Sequence, residues 1–573
     1  MHRLIFIGIF TVNVIFFFIF YFTQKFPIPA ILIHILTLIF LSLWVVKPKK
    51  IYSLIQKNRL DLVLIACLFL LALMLRLYKA DVITPGMYGD EVTIAIAGEQ
   101  ILSSREFVPF VDVNYGHPTP LLYLEGMATN LFGRTLTAVR LPSILFGVMS
   151  VVLFYVFLRL FFKRSVAFAV SLVLVFSYPH VAVSRLAYEI TASLFFQILA
   201  VIFLYLAYKT NNVRYYVGTG LALGAGLYTY VGFRTFAIGL LLVSFIILMK
   251  KKDIIRNKIG YFLLIIVTLF ISAVPLLSYS ISHSDSVLAR AKSLSVFGQN
   301  LPKDEVIKEI QGATTRLSYV FFFTGDPNPR VNPSAVSMFD IVTTIVSLVG
   351  LIFLFRVNKN LFIISLFLFI PSIVNDIFSL ERIPEFHYYG LGHPNTLRIA
   401  GIIPIVYFWL AYGMQAIRSF SIKMGGQFYH IAFIFIVGTI LLFNWFFYFS
   451  QDSIHQRFYL YNYEFNGVKM LNVVDVINKS SIKEVYLSPS FLTDSRVTYF
   501  SRRNAILKTF KPTSAEQAIS AIQSRELTIF DPRLDKTLAQ TLVDKSQKQS
   551  NLFNMQVLVN PLGGIDALVF SRY

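Results

Sequence analysis

Apolar runs follow one another along most of the chain, separated by short polar breaks. Each run is close to the length of about 20 residues that a helix needs to cross a bilayer. The pattern predicts thirteen transmembrane helices, near 4–22, 28–46, 61–78, 139–161, 166–183, 190–208, 214–231, 234–250, 259–280, 338–356, 360–379, 399–418 and 429–449. A further apolar stretch, 119–132, is too short to span and reads as a surface-lying or re-entrant helix. The first run is too long for a secretory signal core, lacks a small-x-small cleavage site and leads straight into a second run. It is read as a retained span.

From 451 onward the pattern changes. Short alternating segments at 484–487, 527–530, 556–559 and 567–570 predict strands. Ser514-Ala-Glu-Gln517 predicts a capped helix start. The expected organisation is therefore mainly α and polytopic, in three parts. Residues 1–60 form an N-terminal hairpin with a basic loop, 61–450 a membrane region with long loops at 79–138, 281–337 and 380–398, and 451–573 a small extracytoplasmic α/β domain.

Composition agrees with lipid as the solvent. Of the 573 residues, 56% are hydrophobic and 14% charged, where a soluble domain carries about 25% charged residues. The formal net charge of +21 invites a nucleic-acid reading, but the placement of the charges excludes it. Lys47, Lys49 and Lys50, Lys163 and Arg164, Lys250, Lys251 and Lys252, and Arg356 and Lys359 cluster in alternate short loops, as cytoplasmic orientation signals do. The opposite short loops hold little beyond Lys25, Arg185 and Arg234. All the long loops and the tail then face outward, away from nucleotides. The one cysteine, Cys67, rules out an intramolecular disulfide and a Cys-rich metal site.

Candidate chemistry concentrates in those outer loops. Asp90 and Glu91 follow a turn a few residues beyond the third span. A carboxylate there can take a proton from an attacking hydroxyl or amine while its neighbour tunes it or binds the acceptor. An adjacent acidic pair is also an ordinary solvated loop feature. His117, in Gly116-His117-Pro118, either serves a phosphate or is fixed in its turn. Arg185, Arg234 and Arg398 stand at span ends on the face that should be poor in positive charge. Arginine holds phosphate through two parallel bonds, although snorkelling to headgroups explains any one of them. Glu189 is a pairing candidate for Arg185. Asp326 offers little support for a metal, and neither a metal nor any cofactor is implied.

In order, Gly89-Asp90-Glu91, Gly116-His117-Pro118, Leu131-Phe132-Gly133, Arg140-Leu141-Pro142, Ser184-Arg185, Tyr228-Thr229-Tyr230 with Arg234, and His393-Pro394-Asn395 with Arg398 resemble the C-type glycosyltransferases. The nearest branch is that of protein O-mannosyltransferases and aminoarabinose transferases, and the resemblance covers roughly 61–450. It implies a polyprenyl-phosphate sugar donor, transfer with inversion to a glycan, lipid or protein acceptor, Asp90 as the catalytic carboxylate, and Tyr230 and His393 among the substrate-binding residues. The chain departs from the pattern at Thr119, where a second proline is usual, and at Tyr188-Glu189, where many relatives place Asp. The expected location is a bacterial plasma membrane. A transporter or lipid flippase is the rival reading, and it calls for charge or broken helices at mid-membrane.

This topology makes a direct prediction. In a Cys67-free background, cysteines placed at 90 and 251 should label from opposite sides of the membrane. Labelling of both from one side would reject the orientation.

Overall fold

A computed structural model describes residues 2–23, 25–46, 59–83, 86–104, 106–114, 116–250, 255–298, 300–328, 330–332, 336–380, 393–423, 427–449, 467–501, 503–548, 553–559 and 564–571. The expected features at 47–58, 251–254, 381–392, 451–466 and 573 lie outside the described residues. Long helices form the bundle. Among the described residues eight helices are long and apolar enough to cross a membrane, and Arg164–Phe176 with Tyr178–Ser184, bent by 57°, makes a ninth if counted as one span. Gly8–Thr23, Phe233–Met249 and Ile341–Val357 are apolar but shorter. Length alone therefore supports fewer spans than the thirteen expected. Val213–Gly226, for example, stops five residues before the apolar run does, where Leu227–Val231 turns.

Lipid explains which side chains face outward. Leu131, Ile434, Phe435 and Leu442 are each more than two-thirds exposed. In water such a belt would drive aggregation; in hydrocarbon it costs nothing. Inside, Val148, Val151, Phe154 and Leu158 of one helix pack with Val170 and Leu174 of the next and with Val406 and Leu410.

At one end of the bundle the helices Gly89–Ser103 and Pro120–Phe132 form a hairpin. The second is the short stretch that the sequence excluded from spanning. The hairpin closes on two glycines. A Cβ on Gly126 would lie 2.5 Å from the Gly98 carbonyl oxygen. Between them the strands Phe110–Val111 (β1) and His117–Pro118 (β2) pair antiparallel, which places His117 beneath the hairpin.

Residues 467–571 carry a five-stranded sheet. Its strands are Glu484–Leu487 (β3), Ile506–Thr509 (β4), Leu527–Phe530 (β5), Asn554–Val559 (β6) and Ile565–Ser571 (β7), in the order β4-β3-β5-β7-β6. β3 pairs parallel with β4 and β5, and β7 pairs antiparallel with β5 and β6. Ser514 caps its helix as expected, accepting from the Gln517 amide. β4 was not anticipated: it is an edge strand, half-exposed, with no clean alternation. One face of the sheet shares a core with the hairpin end, since Met87, Val92 and Ala95 pack in one cluster with Phe491, Val497 and Tyr499. Arg134 fastens the join, pairing with Glu99 at 2.6 Å and donating to the Tyr499 carbonyl oxygen.

The glycine contact is a sharp test of this arrangement. Gly126→Ala meets backbone, which cannot swing aside, so overpacking should cost about 1–3 kcal/mol. A lower thermal midpoint of the purified protein is the expected result, and an unchanged midpoint would show that the hairpin is looser than drawn.

Candidate active site

The site is built around a fully buried ion pair. Glu91 sits in the first turn of its helix, where an acid favours the exposed amides. Its carboxylate takes two parallel bonds from Arg140, at 3.0 and 3.1 Å, and further bonds from the amides of Ala187 and Tyr88. Arg140 also donates to the Gly86 carbonyl oxygen. Both side chains are within 1% of complete burial. With both oxygens engaged and no exposure, Glu91 has no path to an acceptor hydroxyl. The sequence grouped Glu91 with Asp90 as a catalytic pair; here its two oxygens are taken up inside the fold.

Asp90, one residue earlier, points the other way and is exposed. Its Oδ2 accepts from the Tyr188 hydroxyl at 3.1 Å. Arg330 donates to that hydroxyl at 2.9 Å. The Tyr188 segment is held to the neighbouring helix because Ser143 donates to the Tyr188 carbonyl oxygen and accepts from Thr191 through its own.

Glu189, next along, turns into a narrow cleft of about 20 Å³ lined by His117, Glu189, Tyr230, Arg234 and Arg290. His117 Nδ1 is 2.6 Å from Glu189 Oε1, and both side chains are buried. The expected pairing of Glu189 with Arg185 is therefore replaced by one with His117. Tyr230 is close enough to interact electrostatically with Arg290, Glu189, Arg398 and Asp376, so it joins this cleft to a second group. There Asp376 Oδ1 lies 3.2 Å from His393 Nδ1 and 3.7 Å from Arg398 Nη1. Among the described residues neither Nη of Arg398 has a hydrogen-bond partner, although the residue is buried. The turn before Arg330 is tied in as well, because Asp326 accepts from the Thr396 amide at 2.6 Å. Burial pushes the Asp326 carboxyl up to about 6.

Arg185 does not join Arg234 and Arg398. It leaves its turn on the opposite side, donates to the Tyr78 carbonyl oxygen at 2.8 Å and stacks on Tyr448 and Phe449. The expected trio of Arg185, Arg234 and Arg398 is therefore not assembled, and Arg290 stands with Arg234 in the cleft instead. Arg290, on the polar helix Ser284–Leu294, was missed because nothing marks it among ordinary surface charges. Asp376 was missed too, although an acid at the end of an apolar run is a signal that could have marked it.

Beside this cationic group lies an apolar cavity of about 820 Å³. Val201, Leu204, Leu240, Val243, Leu368 and Ile405 line it. One end reaches Gly401 and Gln197, three residues from Arg398 and two helical turns from Glu189. The other reaches Tyr208, Asn358 and Asn360, at the far ends of their helices. Arg234 opens the helix Phe233–Lys250, whose Leu240 and Val243 form a wall.

Residues 116–279 match the family profile of dolichyl-phosphate-mannose-protein mannosyltransferase. The fold is similar to that of ArnT from Cupriavidus metallidurans bound to undecaprenyl phosphate, with a TM-score of 0.50 at 10% identity over 90% of this chain and 98% of that one. The chain has the fold of the C-type glycosyltransferases. Archaeal oligosaccharyltransferase AglB from Archaeoglobus fulgidus, in complex with an inhibitory peptide and a dolichol-phosphate, aligns at a TM-score of 0.44 and 10% identity over 90% of this chain and 74% of that one. No curated protein sequence matches the chain.

In this C-type glycosyltransferase fold the matched segment holds His117, Arg140, Tyr188, Glu189, Tyr230 and Arg234. Asp90 and Glu91 precede it, and Arg290, Arg330, Asp376 and Arg398 follow it.

The buried pair yields a prediction about stability. Glu91→Gln leaves Arg140 charged and without its carboxylate, and breaking such a pair costs about 3–5 kcal/mol. Purified protein should melt at a clearly lower temperature or fail to accumulate. A normal melting temperature with reduced activity would instead return Glu91 to the chemistry.

Proposed function

We propose that the chain transfers a hexosyl or pentosyl unit from a polyprenyl-phosphate donor to a glycan, lipid or protein acceptor, at the outer face of a bacterial plasma membrane. The observation that carries this reading is the cationic cleft set against an apolar cavity of about 820 Å³. A ligand that fills both has an anionic head and a long hydrocarbon tail. Arg234, Arg290 and Arg398 would hold the phosphate, and the cavity would hold the first isoprene units. The charge asymmetry of the short loops supports the outward orientation, with the C-terminal domain on the same side.

Asp90 and the cleft share one segment, since Tyr188 binds Asp90 and Glu189 lines the cleft. An acceptor hydroxyl or amine at Asp90 would thus stand next to a sugar attached to the bound phosphate. Asp90 takes the acceptor's proton as its oxygen or nitrogen attacks the anomeric carbon. The bond from that carbon to the phosphate oxygen breaks, and the electron pair leaves with the lipid phosphate. The arginines stabilise the charge that grows on the leaving group, and fixed positive groups in a dry site do this strongly. Holding both reactants supplies much of the remainder. No cofactor or metal has a part in this scheme.

The test uses purified protein in lipid nanodiscs with radiolabelled polyprenyl-phosphate hexoses and pentoses and a cell-envelope acceptor fraction. Asp90→Asn keeps size and polarity but cannot accept the proton. Transfer should fall by about 10²–10⁴-fold, with undecaprenyl-phosphate binding unchanged. Full transfer by Asp90→Asn would remove this residue from the mechanism.

A further inference from the structure

Arg330 and Tyr188 are buried beside Asp90, yet the scheme above gives neither a task. Tyr188 is 3% exposed and Arg330 9%. Their contacts form a line: the Arg330 guanidinium donates to the Tyr188 hydroxyl at 2.9 Å, and that hydroxyl meets Asp90 Oδ2 at 3.1 Å. Arg330 also lies over the ring of Tyr88, 4.2 Å from its centroid, and near that of Tyr188, at 5.2 Å.

The direction of this line follows from donor counting. A phenol has one proton and two lone pairs, and a guanidinium has donors only. Arg330 must therefore occupy a lone pair of Tyr188, so the single phenolic proton is left for Asp90. The carboxylate is gripped through Oδ2, and Oδ1 takes no part in this line.

Arg330 is itself fixed from behind. Its amide donates to Asn328 Oδ1 at 3.0 Å, and the Asn328 amide donates to Asp326 Oδ1 at 2.8 Å. Asp326 holds the Thr396 amide through its other oxygen. The line thus runs back to the segment that carries Arg398.

We infer that Tyr188 and Arg330 are positioning residues for the transfer reaction: Arg330 orients the Tyr188 hydroxyl, and that hydroxyl fixes the Asp90 carboxylate toward the acceptor. This rests on the reading of Asp90 as the acceptor's base. A base free to rotate spends little time in line with the attacking group, and small misplacements of reacting groups are costly. Donor phosphate binding does not use this line, so the effect belongs in kcat and not in the donor KM.

The experiment measures steady-state transfer from the polyprenyl-phosphate sugar that the nanodisc assay identifies, for Tyr188→Phe, Arg330→Met and the double variant. Losing one hydrogen bond to a charged group should lower kcat about tenfold in Tyr188→Phe. The donor KM should stay within about twofold, because ground-state binding is untouched. Arg330→Met should behave alike, and the double variant should be no worse than about twofold below either single, since residues acting in series are not additive. Arg330→Lys keeps a donor and the charge and should recover most of the loss, which also guards against a folding defect in Arg330→Met. Wild-type kcat in Tyr188→Phe overturns the inference. So does a double variant whose loss is the product of the two single losses, since Arg330 would then act on its own. If Asp90→Asn remains fully active, the base assignment itself fails. If Asp90→Asn is inactive while Tyr188→Phe is normal, only the positioning role fails.

Discussion

The Asp90 end of the molecule depends on one interaction, the ion pair of Glu91 with Arg140 in a site closed to solvent. A buried pair of charges holds only if nearly every remaining donor and acceptor is satisfied. Here the surroundings meet that condition with backbone. The amides of Tyr88 and Ala187 and the carbonyl oxygen of Gly86 all converge on it. Three segments far apart in sequence are thereby fixed together: the loop before the first hairpin helix, the start of the helix Leu136–Arg159, and the turn at 185–189. Asp90 inherits its position from the first, and Tyr188 and Glu189 inherit theirs from the last. The pair is thus what makes a loop acid into an oriented one.

A second constraint comes from the solvent. Lipid tolerates a charge only near its surface or in a protein-lined cavity, so the polar apparatus is pushed to the ends of the helices. Asp376 ends one helix, Arg234 begins another, and Arg398 precedes a third. Between the helices an apolar void remains. Head and tail of an amphiphile are then accommodated by the same architecture, with no dedicated binding domain. The C-terminal sheet adds rigidity from above, because its core continues into the helix that carries Asp90.

Much of this was legible in the sequence, for definite reasons. Apolar runs of near-bilayer length identify their helices because lipid imposes the length. The hairpin's second helix was recognisable as too short to cross. His117, Glu189, Tyr230 and Arg234 were singled out, and the structure brings them into one cleft. The failures are equally specific. Arg185 sits at a span end like Arg234, yet its turn sends the side chain toward Tyr448; a one-dimensional pattern carries no such direction. Glu91 and Asp90 are adjacent letters with opposite exposure, since successive residues on a helix point about 100° apart. Arg290 stands on a short polar helix that looks like ordinary solvated surface. Each expected run holds a helix, but some runs outlast theirs, as after Gly226, so the pattern alone does not fix a count of spans.

The distribution of charge also bears on the choice between an enzyme and a transporter. Alternating access needs a site near mid-membrane, reached from either side through discontinuous helices whose ends face the cargo. The break in the bent pair falls at Ser177, beside Asn444 and Asp340, both close to the Asp90 end of their helices. The acid at the other end, Asp61, is consumed by Arg159 and Arg164, which anchors helices together and leaves no room for cargo. Among the described residues the polar groups along the large cavity are neutral ones such as Gln197 and Ser365. A cavity with so apolar a lining can hold a lipid by its tail, but it offers a polar solute no charged site along its length.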